Sequence, residues 1–366
     1  MSINGLLNVS AGELCLKNVL QTGQSFRWLL DEATGIYSTT LKISDTLGYS
    51  IITLRQDVDF GQVFYEVLNA KVDTETIENH LKNYFRLDVD LQNLHKNHWL
   101  ANDEKFKMLD HKGIRILGQE PWETLVSFIC STNNNIGRIS KMCHALSENF
   151  GEYIDEYKGT KYYTFPSSED IATKATEIQL RGLGFGYRAK YIIETAKKFV
   201  EDKKKYGLSD DAQFLNEVVA KKGYLEAREF LMGYCGVGPK VADCVCLMGL
   251  HMDEVVPVDV HVGRIAKRDY NIQAPKKFLQ ELRGQCDHLP ITKKKINPEL
   301  DYIRLKFTEI WGEYAGWAQG LLFFRETDKS DASAAKKRKT TSSPAASKKP
   351  KLETNELVSA ISVKAE

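Results

Sequence analysis

Residues 234–246 read YCGVGPKVADCVC, and the fold turns on how this stretch is understood. Gly236 and Gly238 bracket a valine, and Pro239 and Lys240 then lead into a run with helical spacing. Upstream, Ala227, Phe230, Leu231 and Tyr234 stand at i, i+3, i+4 and i+7; downstream, Val241, Cys244, Val245 and Met248 repeat the spacing. Two amphipathic helices joined by Cys235-Gly236-Val237-Gly238 make a helix–hairpin–helix. The glycines let the turn reach positive φ. The unpaired N–H groups that open the second helix form an anion site that reads no sequence, and a nucleic-acid phosphate fits it. A dinucleotide-binding G-x-G-x-x-G would need glycine at 241, where Val241 stands, and a Walker A loop fails as well. Lys240 is then a charge for a phosphate, or a nucleophile.

The rest of the chain bounds the answer. At 366 residues it is long for one compact core, and 42% hydrophobic residues suit a soluble globular interior. No apolar run approaches the length needed to cross a bilayer. The first twenty residues lack a long apolar segment and any arginine, which argues against a secretory signal and a strong mitochondrial presequence. Seven scattered cysteines, none in C-x-x-C spacing, speak against a disulfide framework and against structural zinc or iron–sulfur sites. We therefore expect no metal, no cofactor and a reducing compartment. Net charge is +1, but 327–366 hold nine Lys/Arg against five Asp/Glu, leaving the body at about −3. A nucleic-acid-binding body must then use local charge and aimed backbone groups. One local candidate is 257–295, with nine Lys/Arg against four Asp/Glu.

Residues 10–72 carry most strand signals, with IYSTTLKI and YSIITLRQ separated by a turn-like SDTLG. From about 120 the pattern is helical: Ile136, Ile139, Cys143 and Leu146 follow a 3.6 period, as do Ile192, Ala196 and Phe199. Helices near 299–312 and 313–325 close the folded part. The expected fold class is α+β: a strand-rich domain over 1–119 with an antiparallel twisted sheet, packed on an all-helical helix–hairpin–helix domain over 120–325. From 326 to 366 the composition is that of a disordered basic tail. Its clusters Lys336-Lys337-Arg338-Lys339 and Lys348-Lys349-Pro350-Lys351 read as a nuclear localisation signal or a nucleic-acid patch.

Nineteen residues beyond Lys240, VPVDVHV (256–262) places Asp259 ahead of a short helix over Val260 to Lys267. On its own, Asp259 reads as an N-cap, and His261 as a surface or phosphate-touching histidine. Together, GVGPKVAD and VPVDVHV resemble the signature of the helix–hairpin–helix DNA glycosylase superfamily. TGQSFRW (22–28), EPWETLVSFICSTNNNIGRI (120–139), LGFGYRAKYI (183–192) and YAGWAQGLLF (314–323) narrow the resemblance to the eukaryotic 8-oxoguanine DNA glycosylase/AP lyases, over roughly 10–325. Cys235 takes a place often held by proline, which bears on the stiffness of the hairpin. Gly137 and Gly263 are small where relatives carry larger residues.

The resemblance implies base-excision DNA repair. The expected substrate is 8-oxoguanine, or a related oxidised purine such as formamidopyrimidine-guanine, opposite cytosine in double-stranded DNA. Breaking the bond at the anomeric carbon develops positive charge on the sugar, which a carboxylate stabilises. A neutral amine attacks the same carbon, displaces the base and forms a Schiff base from which β-elimination nicks the strand. Lys240 and Asp259 are the expected nucleophile and stabiliser. An ordinary lysine is neutral in only roughly one molecule in 2,500 at pH 7, so this use calls for a helix N-terminus and burial.

For the flipped base, the resemblance implies Gly23 as a carbonyl aimed at N7–H, Phe323 and Cys244 on the two faces, and Gln319 on the Watson–Crick edge. From spacing alone, Phe323 and Cys244 read as core residues and Gln319 as a surface amide. It also implies Asn133, Arg138 and Arg188 as readers of the orphaned cytosine, and Tyr187 as the wedge that fills the gap. Gly236, Gly238 and His261 complete the DNA contacts. The expected protein is a nuclear monomer, with a mitochondrial pool left open. The rival readings are a non-catalytic helix–hairpin–helix DNA-binding or scaffold module, and a glycosylase for another damaged base.

Overall fold

The computed structural model describes residues 2–327 apart from 45–47, 58–60, 69–72, 109–111 and 286–297. The two basic clusters at 336–339 and 348–351, with nearly all of the expected tail, lie outside the described residues. Met1–Arg325 form one compact unit.

The N-terminal strands are β1 (Ile3–Asn8), β2 (Leu29–Asp31), β3 (Ile36–Ser44), β4 (Gly48–Asp57) and β5 (Gln62–Leu68). They form one sheet in the order β1-β5-β4-β3-β2, antiparallel at every pairing. Most of the strand signal lies in 10–72, yet the first strand, Ile3–Asn8, precedes it. Period-2 alternation sends Tyr37 of β3 and its partner Leu54 of β4 to one face. There they join Ile77, Leu81 and Tyr84 from the helix Thr74–Tyr84 in a buried cluster. Asp73 starts that helix, its side chain accepting from the Thr76 N–H.

The opposite face of β3 is polar but also covered. Tyr162 donates to Ser38 Oγ at 2.7 Å, and Thr40 Oγ1 donates to the Tyr163 carbonyl at 2.8 Å. These tyrosines belong to a small hairpin, Tyr153–Tyr157 with Thr160–Tyr163, that interrupts the helical remainder. Its turn is Lys158-Gly159, with φ of 49° and 81°, the double positive φ of a tight hairpin. Arg27 ties the layers together: Nε and Nη2 donate to Glu123 at 2.7 Å each, and Nη1 donates to Thr40 Oγ1 at 2.7 Å.

The second, larger cluster joins the helices Pro121–Ser131, Ile136–Phe150, Arg188–Lys205, Tyr224–Met232, Pro239–Met248 and Pro298–Trp311. A further helix spans 315–327. No described helix is long and apolar enough to cross a membrane.

Glu120 caps the helix Pro121–Ser131 by accepting from the Glu123 N–H at 2.5 Å. Burial pushes its carboxyl up to about 8, with Asp211 and Glu123 adding to the effect. It is therefore protonated in the folded chain at pH values where the unfolded chain, at about 4.5, has lost the proton. Such a group costs stability as pH rises from about 4.5 through 8. The expectation is that Glu120→Gln narrows the difference in urea midpoint between pH 5 and pH 8. An unchanged difference would remove Glu120 as its source.

Candidate active site

The hairpin turn follows Tyr224–Met232 and ends at Gly238, the N-cap of Pro239–Met248. Gly236 has φ +77°, and a Cβ there would lie 2.7 Å from Tyr191 Cδ2, so both conformation and space demand glycine. Gly238 is in extended conformation and faces open space, its backbone accessible to an anion. At the start of the turn, the Thr195 hydroxyl donates to the Cys235 carbonyl at 2.8 Å. Beneath the second helix, Asp243 is buried and accepts at 2.8 Å from both Tyr224 Oη and Arg228 Nε. Arg228 also pairs with Asp301. Burial pushes the Asp243 carboxyl up, while Arg228 and Arg304 pull it back.

Lys240 sits in the first turn of that helix and is half-buried. Its Nζ lies 3.5 Å from Ser131 Oγ and 4.6 Å from the centroid of the Phe128 ring, and it makes no ion pair among the described residues. Beside it, burial pushes the Cys244 thiol up to about 11 against the pull of Lys240, so the sulfur is a neutral thiol near pH 7. Asp259 is the N-cap that its position suggests: Oδ1 accepts from the N–H of His261 at 2.8 Å and of Val262 at 3.0 Å. Oδ2 has no hydrogen-bond partner among the described residues. The helix it starts runs Val260–Tyr270, three residues past the expected end.

Two cavities meet here. One, of about 70 Å³, is lined by apolar side chains and by Gly23, Cys244, Gln319 and Phe323, the four residues expected around a base. The other is an open groove of about 900 Å³ whose walls include Asn133, Gly236, Gly238 and His261. Among the described residues, Lys240 and Asp259 alone line both cavities. They stand at the junction, where a nucleotide with its base in the small cavity and its phosphates in the groove would place its sugar.

Each wall has a local cause. Gly23 (φ +91°) sits in a loop that the Gln24 side chain anchors: Nε2 donates to the Arg115 carbonyl at 2.9 Å, and Oε1 accepts from the Leu117 N–H at 3.1 Å. Gln119 Nε2 donates to the Gln24 carbonyl at 2.9 Å, and its own N–H donates to the Met248 carbonyl at 2.9 Å. The loop is thus tied to the end of the lysine-bearing helix. Gln319 is 7% exposed, not the surface amide that its spacing suggests, because its helix crosses the core. Cys244 is buried as expected; Phe323 is half-buried, its ring edge-on to His261 at 5.8 Å.

Arg138, Tyr187 and Arg188 line neither cavity but gather at the groove's rim, near the turn that carries Asn133. Tyr187 Oη donates to the Thr132 carbonyl at 3.0 Å, and Arg188 Nη2 donates to the Asn133 carbonyl at 3.0 Å. Arg188 is 3% exposed, against the exposed turn that GYR suggests. Arg138 Nη2 donates to the Gly184 carbonyl at 3.0 Å. Asn133 itself is exposed with φ +48°, and Asn135 is the residue that caps the next helix. The sequence reading missed Ser131 and Phe128, which contact Lys240 alongside Cys244. Both lie in the quoted stretch 120–139, but nothing in their spacing separates them from core residues.

Residues 6–125 match the family described as 8-oxoguanine DNA glycosylase, N-terminal domain, and 126–287 match the HhH-GPD superfamily base excision DNA repair proteins. The chain is 55% identical to an N-glycosylase/DNA lyase of Saccharomyces cerevisiae over 88% of its own length and 86% of the relative. It is 33% identical to an Arabidopsis thaliana N-glycosylase/DNA lyase over 87% and 79%. The solved Clostridium acetobutylicum 8-oxoguanine glycosylase/lyase, in complex with double-stranded DNA containing cytosine opposite 8-oxoguanine, superposes with a TM-score of 0.67. It is 27% identical, covering 90% of this chain and 98% of that one. With the antiparallel sheet, the helix–hairpin–helix and these relatives, the chain belongs to the eukaryotic 8-oxoguanine DNA glycosylase/lyase family, bifunctional DNA-binding enzymes of base-excision repair.

Proposed function

We propose that this protein excises 8-oxoguanine, and related oxidised purines such as formamidopyrimidine-guanine, opposite cytosine, and then nicks the strand. The observation that carries the reading is the position of Lys240 and Asp259 at the junction of the small cavity and the groove. The Lys240 Nζ lone pair attacks the anomeric carbon; the bond to the base breaks, and its electron pair leaves with the base, which takes up a proton. Opening of the sugar ring gives a Schiff base on Nζ. Loss of the neighbouring sugar proton then expels the 3′ phosphate. The Asp259 carboxylate stabilises the positive charge that builds on the sugar.

In this reading Cys244 and Phe323 sandwich the flipped base, and Gln319 meets its Watson–Crick edge. Gly23 offers its carbonyl to N7–H, which normal guanine lacks. A base leaving the duplex loses its stacking, and such faces replace it. Asn133, Arg138 and Arg188 read the cytosine, Arg188 by exchanging backbone carbonyls for the base, while Tyr187 wedges into the gap. Gly236, Gly238 and His261 hold phosphates. We assign the protein to the nucleus, on the strength of the basic clusters at 336–339 and 348–351, and expect it to act as a monomer.

Asp259 permits a clean test because asparagine and aspartate cap helices about equally well. Asp259→Asn is expected to keep wild-type stability and to lose roughly 100-fold or more in excision of 8-oxoguanine opposite cytosine. Asp259→Ala loses about 1 kcal/mol of stability as well. Wild-type excision by Asp259→Asn would reduce the residue to a cap. At the hairpin, Gly236→Ala is expected to lower both melting temperature and DNA affinity, by at least about 1–2 kcal/mol in stability. Gly238→Ala has room, so it should keep the fold within about 1 kcal/mol while weakening DNA binding by crowding the phosphate. Equal DNA affinity for Gly238→Ala and wild type would contradict the phosphate role of that backbone.

A further inference from the structure

The groove continues past the sugar site along the helix Val260–Tyr270. His261, Arg264 and Lys267 stand three residues apart and all line it, so one helix face presents a basic row rising about 4.5 Å per step. Arg264 is exposed. Its Nε donates to the Val260 carbonyl at 3.2 Å, its Nη2 lies 3.5 Å from His261 Nδ1, and it faces no carboxylate among the described residues. Gly263 keeps the floor beside the row low: a Cβ there would meet only Leu300 Cδ2, at 3.9 Å. Val260, 71% exposed at the head of the row, offers an apolar contact of the kind a sugar's C–H face accepts. Lys267 differs from Arg264, because its Nζ pairs at 3.0 Å with Glu299, which also lines the groove.

A guanidinium that faces no carboxylate among the described residues, in one groove with an anion-binding hairpin, calls for a partner with several regularly spaced negative charges. We propose that Arg264 and Lys267 extend the DNA track beyond the reacting nucleotide: Arg264 takes a backbone phosphate, and Lys267 exchanges Glu299 for the next. This rests on the reading above, in which DNA lies in the groove. Glu299 thereby acts against binding, since its carboxylate must be displaced and left beside the phosphates.

The test is the salt dependence of DNA binding by the full-length protein, read as fluorescence anisotropy of a duplex carrying a non-cleavable tetrahydrofuran abasic site. Arg264→Gln is expected to weaken binding at 50 mM KCl and to flatten the log Kd–log salt slope by about 0.9. Its deficit against wild type then shrinks about 3-fold by 200 mM. Arg264→Lys should keep the wild-type slope, and Glu299→Gln should bind more tightly than wild type at 50 mM. A wild-type slope for Arg264→Gln overturns the phosphate contact; unchanged or weaker binding by Glu299→Gln overturns the exchange. Excision of 8-oxoguanine by the wild type, measured alongside, separates the two levels. If it is present with wild-type slopes in the variants, only this inference fails. If the wild type neither excises nor binds, the proposed function fails with it.

Discussion

Lys240 holds its place at the junction of the two cavities because all of its helix beyond it is locked into the core. Eight of the ten residues of Pro239–Met248 are buried, and so are nine of the eleven in Pro121–Ser131, the helix it packs on. Each large apolar side chain in such an interface contributes about 1.5–3 kcal/mol, so the register between the two helices is strongly held. Slipping one helix by a single residue would move Lys240 by about 1.5 Å and swing it through about a quarter turn. Phe128 shows the coupling directly: it is a core residue, and its ring is also the surface over which Nζ rests.

Apolar packing is not directional, and the polar clamps around this pair supply direction. Asp243 is fixed by Tyr224 and Arg228, and Arg228 in turn by Asp301. The desolvation cost of such buried charges largely offsets their attraction, so net stability is a poor account of their presence. Their geometry orients the helix that follows the hairpin. On the other side, Gln24 and Gln119 bind the Gly23 loop to the carbonyl of Met248 at the far end of the same helix. The small cavity is thus bounded by two segments more than two hundred residues apart in sequence, the Gly23 loop and the helix that carries Lys240.

The hairpin and the Asp259 cap were legible because local chemistry dictates them, whereas the spacing around Lys240 left a phosphate charge and a nucleophile both open. Positive φ at Gly236 needs glycine, and a helix start after Pro-Val-Asp needs a cap. The two central strands, β3 and β4, were legible from alternation, while the first strand, Ile3–Asn8, carries a glycine and a terminal asparagine that weaken the signal. What was hidden depends on tertiary structure. Gln319 is a polar residue on a helix that crosses the core, and Arg188 is buried by carbonyls of a turn 55 residues earlier. The hairpin Tyr153–Tyr163 was passed over although Lys158-Gly159 is a turn signal, because helical periodicity dominates on both sides of it. The residues that line the small cavity were named through resemblance; from spacing alone Cys244 and Phe323 read as core and Gln319 as a surface amide.

The claim on which the rest depends is that the Lys240 amine becomes covalently bonded to the sugar. The direct measurement is borohydride reduction during incubation with a duplex carrying 8-oxoguanine opposite cytosine, with Lys240→Gln run beside the wild type. The account predicts a stable protein–DNA adduct in the wild type, mapping to the peptide that contains Lys240, and none in the variant. Release of the base without any adduct, or an adduct that persists in Lys240→Gln, would contradict it.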